Sequence, residues 1–197
     1  IVDTGNGAGG IVFKKILEKI SLNCLAIFLD LDPDFKQHSP NPFDKSAQNE
    51  IKSLILEKKA AFGVILDGDA DRIVFFDSLG RAVNSEYIIL LLAQKLTSPK
   101  VIYDLRMSKV LPEKVQEWSG EAIKSRVGHG FIKKAMLEHK ADLGGELSGH
   151  FMIPDNYWNY TEASFVILLK VLDIINKTGQ TLDQLIEPFK KYFRSEE

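Results

Sequence analysis

The six residues Asp67-Gly68-Asp69-Ala70-Asp71-Arg72 place three carboxylates at alternate positions with only Gly and Ala between them. In an extended chain, residues two apart project to the same side, so the three acids would converge and repel one another unless a cation neutralises them. Carboxylate oxygens are hard ligands that suit Mg²⁺, an ion that usually keeps other positions for water or phosphate. Arg72 adds a cation that can contact a phosphoryl group or form a surface ion pair with a neighbouring Asp. The plain alternative is a solvated acidic hairpin. A calcium loop of the EF-hand kind needs Gly at its sixth position and Glu at its twelfth. Counted from Asp67 those are Arg72 and Ser78, so that reading fails.

A second chemical segment is Gly144-Gly145-Glu146-Leu147-Ser148-Gly149-His150. Its glycines let backbone approach a ligand closely. The Glu146 carboxylate can accept hydrogen bonds from two adjacent hydroxyls, and the Ser148 hydroxyl can donate or accept. His150 is a candidate proton carrier. The spacing of Gly145 to Gly149 is G-x-x-S-G, not the G-x-S-x-G of a hydrolase elbow, and a glycine turn with a structural His is the bland alternative. His129 precedes a helix start and is followed by Lys133 and Lys134. A helix N-terminus with added positive charge can take a phosphate; otherwise this is a strand-to-helix turn with solvated lysines. Gly5-Asn6-Gly7-Ala8-Gly9-Gly10 contains G-x-G-x-x-G, with Asp30 about where a ribose-binding acid would lie. A dinucleotide-binding oxidoreductase is therefore one alternative, although Asp3 and Thr4 interpose between the apolar run and the first Gly.

Short apolar runs alternate with longer amphipathic ones, which predicts an α/β chain of two tandem domains, each a small mixed β-sheet flanked by helices. In the first half, strands are expected at Ile1–Asp3, Leu25–Leu31, Phe62–Leu66 and Ile73–Asp77. Helices are expected at Gly10–Ile20, Ala47–Lys58 and Ser85–Leu96, with Thr97-Ser98-Pro99-Lys100 as the linker. The last two strands are separated only by the carboxylate loop, so they should pair antiparallel. The second half repeats the plan, with strands at Val101–Asp104, Ala122–Arg126, Ala141–Leu143 and Phe151–Ile153. Its helices fall near Pro112, at Phe131–His139, at Glu162–Asn176 and from Thr181. In both halves the Gly-, Asp- and His-rich segments follow the carboxyl ends of strands, where open α/β sheets bind ligands.

The formal net charge of -2 and the lack of a basic stripe with interleaved aromatics argue against nucleic acid as a partner. No apolar run is long enough for a membrane span. A single cysteine, Cys24, cannot form an internal disulfide, which suits the cytoplasm and a core position.

DGDADR resembles the metal-binding loop of the α-D-phosphohexomutases, whose usual form is DGD-(G/A)-DR, and other segments agree in order and spacing. IVDTGNGAGG looks like the opening of that family's second domain, DFKQHSPNP like its loop after the second strand, and YDLRMS like the opening of its third domain. VGHGFIKKAM resembles its phosphosugar-contacting loop, and GGELSGH its sugar-recognition loop. The resemblance implies a central part of a phosphomannomutase/phosphoglucomutase, with residues 1–98 as the metal-binding domain and 99–197 as the sugar-recognition domain. The implied reaction is reversible phosphoryl transfer between O6 and O1 of a hexose by way of a phosphoserine. Asp67, Asp69 and Asp71 would hold Mg²⁺, and Arg72 would contact the phosphoryl group. Glu146 and Ser148 would read the O3/O4 edge that mannose and glucose share, beside His150, with Arg106 directed toward the sugar and His129 and Lys133 toward its phosphate. Leu147 fits the mannose/glucose type of loop.

No segment resembles the family's phosphoserine loop, T-A-S-H-N-P; His38-Ser39-Pro40-Asn41-Pro42 lies in the wrong place, so Ser39 is read as an ordinary loop serine. The C-terminal R-x-S-(N/G)-T-E-P loop has no counterpart either. The expected partners are thus a hexose phosphate and the missing N- and C-terminal domains, and the piece is expected to be inactive alone. Tyr160-Thr161-Glu162 departs from the Asp-Asp-Gly run frequent in relatives. The remaining alternative is a haloacid-dehalogenase-like phosphatase using Asp67, whose D-x-D pattern fits Asp67 and Asp69 but not Asp71.

Overall fold

The computed structural model describes residues 1–157 and 159–192. It separates into two compact units, one comprising Ile1–Val83 with Thr181–Asp183, the other Asn84–Gln180 and the chain from Gln184.

The first unit contains β1 (Val2–Asp3), α1 (Gly9–Lys19), β2 (Ala26–Ile27), α2 (Lys45–Lys58), β3 (Gly63–Leu66), β4 (Ile73–Phe76) and β5 (Ala82–Val83). Its sheet runs β2-β1-β3-β4-β5, with β1 parallel to β2 and β3, and β4 antiparallel to both β3 and β5. The wholly apolar runs of β3 after Gly63 and of β4 are buried at every position, as expected of strands covered on both faces. Ala47, Ile51 and Ile55 recur at four-residue spacing along α2 and pack with Ile65, Val74 and Phe76 of the sheet.

The second unit contains α3 (Ser85–Ala93), β6 (Lys100–Asp104), α4 (Val110–Glu117), β7 (Glu121–Ser125), α5 (His129–His139), β8 (Leu143–Gly145), β9 (Phe151–Asp155), β10 (Asn159–Glu162) and α6 (Ser164–Thr178). A short α7 (Leu182–Ile186) and a 3₁₀ turn (Glu187–Phe189) follow. The sheet runs β7-β6-β8-β9-β10, and its parallel and antiparallel pairings repeat those of the first. The two halves therefore share one plan, each a five-stranded mixed sheet with helices.

The structure divides the chain at Val83/Asn84, whereas the sequence places the division at 98/99. Every residue of α3 is buried, and the helix packs on α4, α6 and β8 of the second unit. Two polar ties strengthen that docking: Ser85 Oγ donates to the Leu147 carbonyl at 3.2 Å, and the Ser108 N–H donates to the buried Glu86 carboxylate at 2.6 Å. The helix expected to begin at Glu162 begins at Ser164, because Asn159–Glu162 forms an edge strand antiparallel to β9. Strand β5 is likewise absent from the sequence reading. Cys24 is half-buried rather than in the core. Among the described residues, no helix is long and apolar enough to cross a membrane. Trp158 and 193–197 of the second expected domain lie outside the described residues.

Candidate functional site

The carboxylate loop connects β3 to β4. Each of Asp67, Asp69 and Asp71 offers a carboxylate oxygen, and the three oxygens lie within 4.8 Å of one another. The convergence does not come from extended alternation, as the sequence suggested. Ala70 takes a left-handed conformation with φ +64°, and its N–H donates to the Asp67 carbonyl at 3.1 Å, closing a turn. The three acids differ in exposure: Asp67 is buried, Asp71 half-buried and Asp69 exposed. Asp67 is also tied to Arg72, accepting its backbone N–H at 3.1 Å and its Nε at 2.5 Å. Arg72 is thus seated on a ligand candidate, with Asp71 4.0 Å away. An octahedral Mg²⁺ holds its ligands at about 2.0–2.1 Å, which puts two ligand oxygens roughly 4.2 Å apart at most. Cis ligands lie roughly 2.9 Å apart, so the carboxylates would close further on an ion, and it is the hard oxygen donor set, gathered on one loop, that fits Mg²⁺.

The glycine segment serves the same loop. The Ala8 N–H donates to the Gly68 carbonyl at 2.9 Å, and a Cβ on Gly7 would collide with that carbonyl. A Cβ on Gly10 would collide with the Leu29 carbonyl. The space a dinucleotide pyrophosphate would need beside these glycines is filled by the chain's own backbone, and Asp30 is spent on an exposed ion pair with Lys14 at 2.6 Å. Ser39 is a turn serine, its Oγ accepting the Asn41 N–H at 3.2 Å.

In the second unit, Glu146 is buried at 2 % exposure. Its Oε1 accepts the Gly128 N–H at 2.7 Å, and its Oε2 lies 3.4 Å from His150 Nδ1. Ser148 Oγ stands 2.9 Å from the same nitrogen. A carboxylate beside Nδ1 favours the tautomer that carries its proton there. Glu146, Ser148 and His150 therefore form one cluster, and the His129 ring lies 6.0 Å from that of His150. Lys133 is in a different setting, paired with Glu162 of β10 at 2.9 Å.

Arg106 is held by Asp104, which ends β6 with no exposed surface. The carboxylate accepts the Arg106 N–H at 2.7 Å, Nε at 3.2 Å and Nη2 at 2.7 Å, and the Leu147 N–H at 2.8 Å. Burial works against the Asp104 charge, but the Arg106 side chain and the two backbone N–H groups outweigh it and hold the carboxyl below the usual carboxylate range. The bonds to Asp104 in turn push the Arg106 guanidinium further up. Sequence reasoning missed Asp104 as the brace joining Arg106 to the Glu146 loop; the available signal was an Asp closing a strand two residues before an Arg. It also passed over Arg126, whose guanidinium lies 4.6 Å from the centre of the Phe131 ring, two residues on from His129.

The family model "Phosphoglucomutase/phosphomannomutase, alpha/beta/alpha domain III" matches residues 84–192, and the model for alpha/beta/alpha domain II of that family matches residues 1–80. A phosphomannomutase of Methanocaldococcus jannaschii is 35% identical over 202 residues, covering 100% of this chain and 44% of that protein. The crystal structure of a phosphoglucomutase/phosphomannomutase family protein from Burkholderia thailandensis superposes with TM-score 0.90 at 24% identity, over 99% of this chain and 43% of that one. The fold also matches an Aspergillus fumigatus N-acetylphosphoglucosamine mutase, solved with GlcNAc-6P and magnesium, at TM-score 0.72 and 17% identity over 94% of this chain and 48% of that one. The chain thus spans less than half the length of each of these three proteins.

Proposed function

This chain belongs to the phosphoglucomutase/phosphomannomutase family, and on that premise we propose that it supplies the metal loop and the sugar-reading loop of an enzyme that interconverts hexose 1-phosphate and hexose 6-phosphate. The observation that carries the reading is the convergence of Asp67, Asp69 and Asp71 at the carboxyl end of β3. These residues hold Mg²⁺, which when bound neutralises charge on the transferring phosphoryl group. Arg72, fixed against Asp67, keeps a guanidinium beside that group. Glu146 and Ser148 take sugar hydroxyls, and the bond from the Gly128 N–H sets the angle of the Glu146 carboxylate. His150, oriented through Nδ1 by Ser148 and Glu146, carries a proton at the reacting hydroxyl. Arg106, braced by Asp104, faces the substrate, and His129 and Lys133 take its distal phosphate, Lys133 exchanging Glu162 for the phosphate oxygens. The residue that carries the transferred phosphate, a phosphoserine, comes from a domain of the same enzyme outside residues 1–197. One half-buried thiol and no disulfide suit a cytoplasmic enzyme.

The test is an assay with mannose 1-phosphate and glucose 1-phosphate, Mg²⁺ and a hexose 1,6-bisphosphate. The chain alone is expected to be inactive, and the same chain within its complete enzyme is expected to form the 6-phosphates, with loss of activity in Asp69→Asn. Turnover by the isolated chain would overturn the division of labour. Release of inorganic phosphate, abolished in Asp67→Asn, would instead establish a phosphatase.

A further inference from the structure

Beneath the carboxylate loop lies a buried Asp–His pair that the proposed function leaves unused. Asp3 ends β1 with no exposed surface, and His38, in the loop between β2 and α2, is almost as deeply buried. His38 Nε2 stands 3.1 Å from Asp3 Oδ2, and its Nδ1 stands 2.8 Å from the Ser39 carbonyl. The other oxygen of Asp3, Oδ1, accepts the Gly5 N–H at 2.8 Å. One carboxylate therefore holds two separate segments, the glycine turn and the His38 loop.

Those two segments are the ones that press on Gly68 between Asp67 and Asp69. From the glycine turn, the Ala8 N–H holds the Gly68 carbonyl, and Gly7 packs so closely that no side chain fits. From the His38 loop, Phe35 Cζ and Pro40 Cβ would lie 3.3 and 3.5 Å from a Cβ on Gly68. Gly68 thus sits between two walls, and both walls rest on Asp3. A loop that must bring three like charges together resists that geometry, so its shape has to be imposed by what packs around it.

The geometry points to Asp3 and His38 as positioning residues that hold the carboxylate loop in its converged shape, and so set its affinity for a divalent cation. The metal part of this inference rests on the function proposed above; the loop-holding part does not. The hydrogen bond to Asp3 pushes the His38 imidazole up, burial opposes it, and the Ser39 carbonyl with the nearby charges of Asp3 and Glu50 adds to the rise. A group raised on folding contributes its stabilisation below its unfolded pKa and loses it as pH rises through the folded value. Ordinary carboxylate sites lose metal on the acid side, where the carboxylates protonate. Here the hold on the loop also weakens on the alkaline side.

The experiment is amide hydrogen exchange by NMR, corrected for intrinsic rates, on wild type, His38→Ala, His38→Gln and Asp3→Asn. In His38→Ala, the protection of Ala8, Ala70 and Arg72 falls about tenfold, as for loss of a charge-assisted bond, while that of Ile65 and Val74 in β3 and β4 holds. His38→Gln, which can still donate to Asp3, retains most of the protection and loses its dependence on pH. In wild type, protection of the three loop amides drops in step with the His38 imidazole signals as pH rises, which decides the matter even if His38→Ala fails to fold. Unchanged loop protection in His38→Ala, a loss spread evenly over β3 and β4, or no link to the His38 titration would each overturn the proposal. Mn²⁺ binding, followed by paramagnetic broadening of Asp69 and Asp71, should weaken in parallel. Loop protection that follows His38 in a protein that binds no Mn²⁺ would sink the metal reading and leave the positioning role standing.

Discussion

Asp3 and Asp104 are counterparts in the two halves of the chain: each closes the first strand of its half, each is fully buried, and each turns Oδ1 onto the backbone N–H two residues further on. Their second oxygens diverge. Asp3 Oδ2 faces His38, and Asp104 Oδ2 faces Arg106 and the Leu147 N–H. The repeated fold thus carries one repeated device, a strand-end carboxylate that braces a loop, with the braced partner changed between copies.

Asp104→Asn is expected to lower stability by about 1.5–3 kcal/mol, since it weakens charge-assisted bonds to a buried group. Asp104 is held below the usual carboxylate range in the folded state. Its contribution is therefore present above the unfolded pKa of about 4 and fades as pH falls through the folded value. Urea unfolding at neutral pH should separate wild type and variant, and the gap should shrink at acid pH. A gap independent of pH would mean that shape rather than charge sets the role of Asp104.

Two glycines give opposite expectations. Gly7→Ala forces backbone apart from the Gly68 carbonyl and is expected to cost about 1–3 kcal/mol, the range for overpacking. At Gly130, inside α5, a Cβ would meet nothing within 4 Å, so Gly130→Ala is expected to stabilise by about 0.4–1 kcal/mol through the unfolded chain. Denaturant unfolding of the two variants checks both signs. Tolerance of Ala at position 7 would mean that the glycine turn is not packed on the carboxylate loop.

The strand and helix order was legible because apolar runs such as Gly63–Leu66 and Ile73–Phe76 are bounded by glycines and charges. The repeat was legible because acid- and glycine-rich loops follow equivalent strands. What stayed hidden depended on partners distant in sequence. The all-buried helix Ser85–Ala93 has no polar face to show which core it joins, so chain order assigned it to the wrong half. Tyr160-Thr161-Glu162 is too short a run to be told from a helix lead-in, and only its pairing with β9 makes it a strand. Asp67, Asp69 and Asp71 were legible as a cluster, but the left-handed Ala70 that gathers them is not written in an Ala. Lys133 reads as a solvated or phosphate-binding lysine until Glu162, 29 residues on, is folded against it.

Binding of Mg²⁺ to this chain is expected to be weak, because three carboxylates fill only part of an octahedral shell. Asp69 is exposed, so Asp69→Asn should weaken binding roughly tenfold while changing stability by no more than about 0.5 kcal/mol. Asp67→Asn should weaken binding and also lower stability, since Asp67 is buried against Arg72. Calorimetric titration with Mg²⁺ and Ca²⁺, beside thermal unfolding, separates the two effects. Tight binding with a preference for Ca²⁺ would make the loop a structural calcium site.

Glu146→Gln tests whether the second loop reads hydroxyls. The Gly128 N–H can still find the amide oxygen of Gln, which turns the NH₂ toward His150 Nδ1, and the imidazole meets it by taking the other tautomer, with Nδ1 as acceptor. The fold should therefore survive, and thermal unfolding of the variant provides the control. What the amide cannot do is accept two hydroxyl hydrogen bonds with a full negative charge. Losing a charge-assisted bond of this kind costs about 1.5–3 kcal/mol, or roughly ten- to a hundredfold in kcat/KM for the complete enzyme. The loss should be similar for mannose and glucose 1-phosphates, which differ at C2 and not at the O3/O4 edge. A 3-deoxy or 4-deoxy sugar phosphate already lacks part of the interaction, so the substitution should harm its turnover less. Wild type and variant on parent and deoxy substrates form a four-way comparison, in which groups that touch show coupled penalties. Simple addition of the two penalties would remove Glu146 from the sugar site and leave it as the internal anchor of Gly128.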